Sequence, residues 1–323
     1  MKRRQLVLSG AALLGGANLV HAQASGFPKA GTALRYIVPF PPGGLTDSMA
    51  RTVAQKLAEA WKVSVVVENK AGGNAQIGAE QVAKSAPDGS SLLAITLAHA
   101  ANVGLFPSAP YSFTKELRPV ALLAGSPMLV VVPAASPIKD FKDLMAIAKT
   151  KRLNAGSSGN GTPPHLTMAL FNDLNKSQMT HVPYRGGAPS MTDLIGGQLD
   201  VIFSNFPESI AHVKSGRLRA ITLCSLGRHP MLPDVPTSLE AGMAGLFVEN
   251  WTGVMIQSKT PDDIVDKYSR EIIKIMHTPE VEERAKQQGF RVIPKGPQDF
   301  GVFLKSEIDR WSRIIKTAKI TAT

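Results

Sequence analysis

The sequence predicts an α/β fold in which mostly parallel sheets are flanked by helices. Three observations lead to this prediction. Short apolar runs of strand length alternate with amphipathic runs of helical period. Small-polar or glycine-rich loops follow most of the apolar runs, as at the carboxyl edge of an open parallel sheet. The chain has 323 residues, 44% of them hydrophobic and 19% charged. This composition is that of a folded protein, and the length suggests about two domains.

The first α/β unit opens with the stretch on which the functional prediction depends. Residues 34–38 form an apolar run that predicts a buried strand. A turn rich in proline and glycine follows at 39–47, and apolar residues then recur at helical spacing over 49–61. The stretch is therefore predicted to be a strand-to-helix turn.

This turn has the residues of an anion site. Gly43 and Gly44 let the backbone bend and approach a ligand closely, and Thr46 or Asp47 can cap the helix. The first N–H groups of the helix have no partner within it and point outward. A capped loop with no ligand is an equally good interpretation of these residues alone.

The later elements continue the alternation. The first unit is predicted to hold further strands at 63–67, 92–96, 120–123 and 129–132, and a short helix at 79–84. The second unit is predicted to hold helices near 140–150, 165–174, 189–195 and 210–214, and strands at 179–182, 200–203 and 218–223. A crossing segment, a strand and three helices close the chain at 230–245, 250–257, 261–277, 279–288 and 298–318.

Six loops are expected beyond the carboxyl ends of the strands, three in each unit, which predicts one ligand held between two facing lobes. They are 39–47, 72–78, 96–102, 156–162, 184–190 and 204–206. Asp47 is their only carboxylate, and a buried ammonium needs an acidic or multiple carbonyl partner. Carboxylic acids without an amino group are therefore the expected ligands. Arg185 can add a charge at the cleft edge, although a solvated surface arginine is the simpler interpretation.

The N-terminus has the pattern of a signal peptide over residues 1–24. Basic residues at 2–4 precede an apolar run at 6–20, and Ala22-Gln23-Ala24 is a cleavage site. The apolar run is too short and glycine-rich to span a membrane, so we expect no direct membrane insertion and a periplasmic location after cleavage near Ala24. Arg3-Arg4 leaves general secretion and the twin-arginine route both open.

The charge and the motifs of the sequence argue against several other functional classes of protein. The net charge is +11, but the basic residues are scattered, which makes nucleic acid a poor partner. Cys224 is the single cysteine, so no intramolecular disulfide can form. The histidines lack metal-ligand spacing, and residues 73–78 lack the lysine of a P-loop. Gly156-Ser157-Ser158-Gly159-Asn160 fails as a nucleophile elbow at Asn160. We expect no catalytic residue, metal or cofactor.

Several motifs, in order along the mature chain, resemble the tripartite tricarboxylate transporter substrate-binding proteins, the Bug family. They are Val38-Pro39-Phe40-Pro41-Pro42-Gly43-Gly44, Glu68-Asn69-Lys70, Pro87-Asp88-Gly89, His181-Val182-Pro183-Tyr184-Arg185-Gly186, residues 193–200 and 232–237, and Trp251-Thr252-Gly253. The resemblance implies a two-lobed type II periplasmic-binding-protein fold with a ligand cleft between the lobes. Lobe 1 would comprise 25–125 and 250–323 and lobe 2 would comprise 126–249, with hinges near 125–126 and 226–250.

Such proteins hold a ligand largely with backbone N–H groups and hydroxyls. Together with the loops above, the resemblance implies the ligand-binding residues Gly43, Gly44, Thr46, Asp47, Ile77, Gly78, Thr96, Ser157, Gly159, Gly161, Thr162, Tyr184, Ser204 and Asn205. Many members have aspartate where this chain has Ser204, which puts the polar contacts there in doubt.

The resemblance implies a monomeric solute-binding protein that performs no chemistry. It would capture a small carboxylate in the periplasm and deliver it to the membrane subunits of a transporter. Two alternatives stay open at this point. One is a ligand sensor that presents its closed form to a receptor, and the other is a periplasmic hydrolase that uses Ser157 or Ser158.

Overall fold

The structure, a computed structural model, describes residues 26–29 and 31–321. The predicted signal peptide and its cleavage site lie outside these residues. The first part of the chain forms β1 (Ala33–Val38), α1 (Leu45–Trp61), β2 (Ser64–Asn69), α2 (Gln76–Ala83), β3 (Ser91–Thr96), α3 (Leu97–Leu105), α4 (Phe113–Glu116) and β4 (Leu117–Pro133). The α/β alternation predicted from the sequence is confirmed here.

The second part repeats the pattern and ends in helices. It forms α5 (Phe141–Thr150), β5 (Asn154–Ser157), α6 (Pro163–Asn175), β6 (Thr180–Pro183), α7 (Gly187–Ile195), β7 (Val201–Asn205), α8 (Phe206–Lys214) and β8 (Leu218–Leu223). The closing elements are β9 (Glu249–Gln257), α9 (Asp262–Met276), α10 (Pro279–Gln287), β10 (Arg291–Lys295) and α11 (Pro297–Thr317).

The strands form one sheet in the order β2-β1-β3-β9-β4-β7-β5-β6, with β8 and β10 also paired to β4. β1 is parallel to β2 and β3, and β5 is parallel to β6 and β7. Helices connect these strands, as parallel pairing requires. β9 and β4 run antiparallel through the middle. We call β1–β3, β9, β10 and the start of β4 the first half-sheet, and β5–β8 with the end of β4 the second half-sheet.

β4 differs from its prediction because it is one strand that passes through Gly125-Ser126-Pro127. The sequence predicts a break there. Instead β9 stays paired along this stretch, with Ser126 opposite Asn250 and Pro127 opposite Glu249. The Ser126 hydroxyl also donates a hydrogen bond of 2.9 Å to the carbonyl of Gly289. Pairing with β9 therefore overrides the local turn signal, and β4 joins the two half-sheets.

Residues 97–102 were predicted as a loop and are helical instead. α3 begins directly after Thr96, whose hydroxyl accepts a hydrogen bond from the N–H of Ala98. The ring Nδ1 of His99 accepts one from the N–H of Thr96 at 3.1 Å. This reciprocal cap starts the helix at the end of β3 and holds Thr96 at the junction.

Other predicted loops are also shorter than expected, since α2, α7 and α8 begin earlier than predicted. Ile77 and Gly78 consequently lie in the first turn of α2, and Asn205 is followed at once by a helix. The short helix α4 and strand β10 were not predicted. β10 contains Pro294, which is unusual within strands, and it is held by antiparallel pairing with β4.

Packing follows the alternation of side chains along the strands. On β1, Tyr36 joins a cluster under α1 and α9, while Ile37 faces a second cluster on the opposite side. That second cluster includes Trp251 on β9 and Trp311 on α11 and continues into the second half-sheet. The two half-sheets therefore share a core, and the site lies at their carboxyl edges.

Candidate ligand-binding site

A cavity of about 730 Å³ opens between the two half-sheets. The β1–α1 turn and Thr96 line it from the first half-sheet, and the loop before α6, α7, Asn205 and α8 line it from the second. Asn250, at the start of β9, closes it from the strand between them. The volume falls within the range of about 300–1,000 Å³ typical of small-molecule sites.

Six of the predicted binding residues line this cavity. They are Gly43, Gly44, Thr46, Thr96, Thr162 and Asn205. They come from both half-sheets, so the fold brings together turns that are far apart in the sequence. Eight others do not line it, namely Asp47, Ile77, Gly78, Ser157, Gly159, Gly161, Tyr184 and Ser204.

The β1–α1 turn presents the beginning of α1 to the cavity. Gly43 has φ +82°, a conformation that favours glycine. Gly44 precedes the first helical residue and has extended backbone angles. Within the first turn of α1, the N–H of Thr46 has no acceptor inside the helix. The positive end of the helix dipole and the Thr46 hydroxyl therefore make this side of the cavity suitable for an anion.

Asp47 supports the turn and does not face the cavity. Its carboxylate accepts hydrogen bonds from the N–H of Gly43 at 3.0 Å, from Arg51 at 2.9 Å and from Asn69 at 2.9 Å. Burial raises the pKa of Asp47, but these hydrogen bonds, led by that of Arg51, outweigh it and hold the pKa below its usual value. Asp47 is thus a positioning residue for the turn.

Asp47→Ala is expected to lower the free energy of unfolding at pH 7 by about 2 kcal/mol, because three donors lose a charged acceptor. A carboxyl whose folded-state pKa is lowered stabilises the fold above its unfolded pKa of about 4. The difference from wild type should therefore shrink as the pH falls below that value and be lost once the pH passes the lower folded-state pKa. Urea unfolding at pH 7 and pH 3 measures it.

Asp173→Ala is the control for this prediction, because it removes a surface ion pair with the exposed Lys176. A change within about 0.5 kcal/mol is expected there. Equal effects of the two substitutions would show that the Asp47 network does not hold the turn.

The loop before α6 places Ser158 and Thr162 at the cavity and keeps Ser157 behind it. Ser157 is fully buried. Its hydroxyl oxygen lies 3.1 Å from the N–H of Gly159, which donates to it, and 2.6 Å from Nε2 of His181. Gly161 donates its N–H to Nδ1 of His165. Ser157, Gly159 and Gly161 therefore shape the loop whose outer face reaches the cavity.

The contact between Ser157 and His181 has a nucleophile-like spacing, but the surroundings do not favour hydrolysis. His181 stacks on His165 with ring centroids 3.9 Å apart, and burial lowers the pKa of His165 to about 3 and that of His181 to about 4. No carboxylate hydrogen bond orients His181 among the described residues. A substrate in the cavity would meet Ser158, whose hydroxyl forms no hydrogen bond to a histidine within residues 26–29 and 31–321.

Four more predicted residues have structural contacts instead of a place in the cavity. Gly78 packs α2 beneath the turn, since a side-chain carbon there would lie 2.9 Å from Pro39. The adjacent Ile77 is half exposed, away from the cavity. The Tyr184 hydroxyl donates to Asp193 at 2.6 Å, and this bond, with burial, raises its pKa to about 12. The buried Ser204 hydroxyl donates to the carbonyl of Asn205.

The structure adds polar residues that the sequence analysis missed. Glu208 lies in the first turn of α8 and accepts a hydrogen bond of 3.0 Å from the Asn205 side chain. Asn250 donates one of 2.9 Å to Asn205. All three line the cavity. Pro207, in the first turn of α8, was the available signal for an earlier helix start, which would have placed Glu208 beside Asn205.

Glu208 also overturns a premise of the ligand prediction. Asp47 is the only carboxylate of the six predicted loops, but Glu208 supplies an acidic group to the cavity itself. Burial raises the pKa of Glu208 to about 7, against the lowering effect of the Asn205 hydrogen bond. The inference that amino acids lack an acidic partner in this site is therefore wrong.

The remaining lining combines positive charge at the edge with apolar walls. Arg185 and Arg217 are exposed, and Arg185 is both a surface arginine and part of the cavity lining. Phe40, Met191 and Ile195 contribute apolar surface. Such a cavity can hold an acid with a hydrocarbon body, its carboxylate meeting neutral donors near α1.

Two further observations concern metals and membranes. Within residues 26–29 and 31–321, no three histidine, cysteine, aspartate or glutamate side chains are grouped as metal ligands would be. The helices in the same part of the chain are all too short or too polar to cross a membrane.

The chain is similar to known proteins over most of its length. The chain matches the family described as "Tripartite tricarboxylate transporter family receptor" over residues 49–320. It is 32% identical to protein BugT of Bordetella pertussis over 287 residues, which cover 88% of each chain.

Two solved structures are also similar. One is the Rhodopseudomonas palustris protein Rpa4515 with adipate, with a TM-score of 0.86, 30% identity and coverage of 91% of this chain and 99% of that one. The other is MatC of the same organism with bound malate, with a TM-score of 0.82, 30% identity and coverage of 90% and 100%. The likeness extends over nearly the full length of both proteins, so the predicted resemblance is confirmed. This chain belongs to the tripartite tricarboxylate transporter receptor family of periplasmic binding proteins.

Proposed function

We propose that this protein captures a small organic acid in the cavity and delivers it to the membrane subunits of a tripartite tricarboxylate-type transporter. The main supporting observation is that the first turn of α1 and the residues Thr46, Thr96 and Thr162 line one cavity between the half-sheets. Neutral donors stabilise a carboxylate without a buried counter-charge. Relatives with bound malate and adipate support the same ligand class.

The proposal includes the cellular setting and the absence of chemistry. The mature protein begins near residue 25, after removal of the signal peptide, and works in the periplasm as a monomer. It binds and releases its ligand unchanged, which is supported by the burial of Ser157 away from the cavity. The binding residues proposed are those that line the cavity; the remainder of the predicted set acts by shaping it.

Ligand capture is expected to raise the melting temperature, because a ligand that binds only the folded state adds stability that grows with its saturation. Malate and adipate are the first probes, together with their uncharged diamides as matched controls. At 100 times the dissociation constant the gain is about 2.7 kcal/mol. A diamide that stabilises as much as its acid, or turnover of an ester that is lost in Ser158→Ala, would contradict the proposal.

We further propose that the half-sheets belong to two lobes, 25–125 with 250–323 and 126–249, that close on the ligand about hinges near 125–126 and 226–250. The continuous β4 and its partner β9 cross between them and support this division. Small-angle scattering should show a smaller radius of gyration with a saturating acid. An unchanged radius of gyration, with saturation shown by calorimetry, would contradict the proposed hinge closure.

A further inference from the structure

Three side chains in the cavity form a chain of hydrogen bonds with a fixed direction. The amide N–H of Asn205 donates to Glu208, so its carbonyl oxygen is turned toward Asn250. The amide N–H of Asn250 donates to that oxygen. When it is ionised, as at pH 8, the carboxyl of Glu208 only accepts and therefore sets the orientation of both amides. We call these three residues the acidic relay.

The relay ends in an unused acceptor. Asn250 is only 4% exposed, and within the described part of the chain its Oδ1 has no hydrogen-bond partner. A buried acceptor without a partner costs free energy, and this one belongs to a residue that lines the cavity. Glu208 lies at the other end of the relay with a single side-chain donor among the described residues. The Glu208 carboxyl can thus accept a hydrogen bond from a ligand in the cavity, whereas the Oδ1 of Asn250 is covered and would need a side-chain movement to do so.

The position of the Glu208 carboxyl depends on Gly187. A side-chain carbon added at Gly187, the first residue of α7, would collide with the Glu208 carboxylate. Gly187 has no positive φ that would demand glycine. Glycine at position 187 therefore leaves room for the Glu208 carboxyl beside α7, although the backbone conformation there does not require glycine.

We infer that the acidic relay is a specificity subsite that selects organic acids carrying a hydrogen-bond donor, either a hydroxyl or an ammonium group, in addition to the carboxylate. This inference rests on the proposed function and adds the class of ligand. The donors near α1 face a carboxylate, whereas Glu208 would repel a second one placed beside it. A hydroxyl or ammonium group instead donates to Glu208, and a movement of the Asn250 side chain would let its unpaired Oδ1 accept a hydrogen bond as well.

The test uses trios of acids that differ only in the donor. Succinate, malate and aspartate form the four-carbon trio, and glutarate, 2-hydroxyglutarate and glutamate the five-carbon trio. Calorimetry with the full mature chain at pH 8 should show at least about tenfold tighter binding of one donor-bearing member than of the plain diacid. Preference for the hydroxy acid or for the amino acid identifies which donor the site takes.

Three variants separate the relay from the rest of the site. Glu208→Ala should reduce the preference to less than about threefold, because the donor-bearing acid loses its acceptor and the plain diacid is no longer repelled. Gly187→Ala should have the same effect by displacing the carboxyl, with an unchanged melting temperature. Glu208→Gln keeps the acceptor for Asn205 but not the charge, so it should retain a preference for a hydroxyl and lose one for an ammonium group.

The outcomes distinguish this inference from the proposed function. A wild-type protein that binds plain diacids as tightly as their donor-bearing partners overturns the inference alone. So does an equal loss of affinity for all members of a trio in Glu208→Ala. If no acid of either kind binds, both the inference and the proposed function are overturned.

Discussion

Gly44→Val is expected to abolish ligand binding, with a loss of affinity of at least about 100-fold, which corresponds to about 2.7 kcal/mol. Gly44 lines the cavity directly before the first turn of α1, where the ligand carboxylate is proposed to lie. A branched side chain at this position would occupy the space of the carboxylate and cover the free N–H groups. Calorimetry with an acid that stabilises the wild-type protein measures the effect.

The substitution should leave the fold intact, which makes the result interpretable. Gly44 has extended backbone angles, and a side-chain carbon there would meet only the carbonyl of Pro41, at 3.8 Å. Gly43, in contrast, has a positive φ, so a substitution there strains the turn itself. Gly227→Val in an exposed loop is the matched control and should bind normally. If Gly44→Val binds the acid with wild-type affinity, the β1–α1 turn is not part of the ligand-binding site.

The general fold could be predicted because its signals are local. Apolar runs, helical periodicity and the prolines and glycines of the β1–α1 turn each act within a few residues. Gly43, Gly44 and Thr46 were found for this reason. Thr96 was predicted as a binding residue although the loop predicted after it is a helix. The reason is that Thr96 lies at the end of β3 whichever structure follows.

The missed part of the site depends on contacts that the sequence does not display. Asn250 meets Asn205 because β4 pairs with both β7 and β9, and that register is a tertiary property. Gly159 was correctly placed in a loop, whereas Ser157 is the last residue of β5. Only packing decides that Ser158 is the serine on the cavity side. Glu208 was not predicted as a site residue because the sequence analysis placed the start of α8 too late.

Glu208→Gln is expected to raise the melting temperature by about 5 °C at pH 8 and to change it little at pH 4. Burial raises the pKa of Glu208 to about 7 in the folded protein, against about 4.3 for an unfolded glutamate. A carboxyl with a raised folded-state pKa lowers the free energy of unfolding as the pH rises from its pKa in the unfolded chain to its pKa in the folded protein. Well above pH 7 the full penalty is roughly 4 kcal/mol, and the neutral glutamine does not incur it.

The direction of this change in melting temperature tests whether the charged groups around the cavity pair with Glu208. Arg185 and Arg217 line the same cavity and would offset the penalty if they paired with Glu208, but both are exposed. Burial, then the charge of Arg217, lowers the pKa of His212, one turn along α8, so this histidine is neutral at pH 8. Glu283→Gln, on an exposed face of α10, changes the net charge equally and should leave the melting temperature nearly constant. A wild-type protein more stable than Glu208→Gln at pH 8 would show that the arginines do pair with Glu208, and that the cavity holds this carboxylate as a stabilising ion.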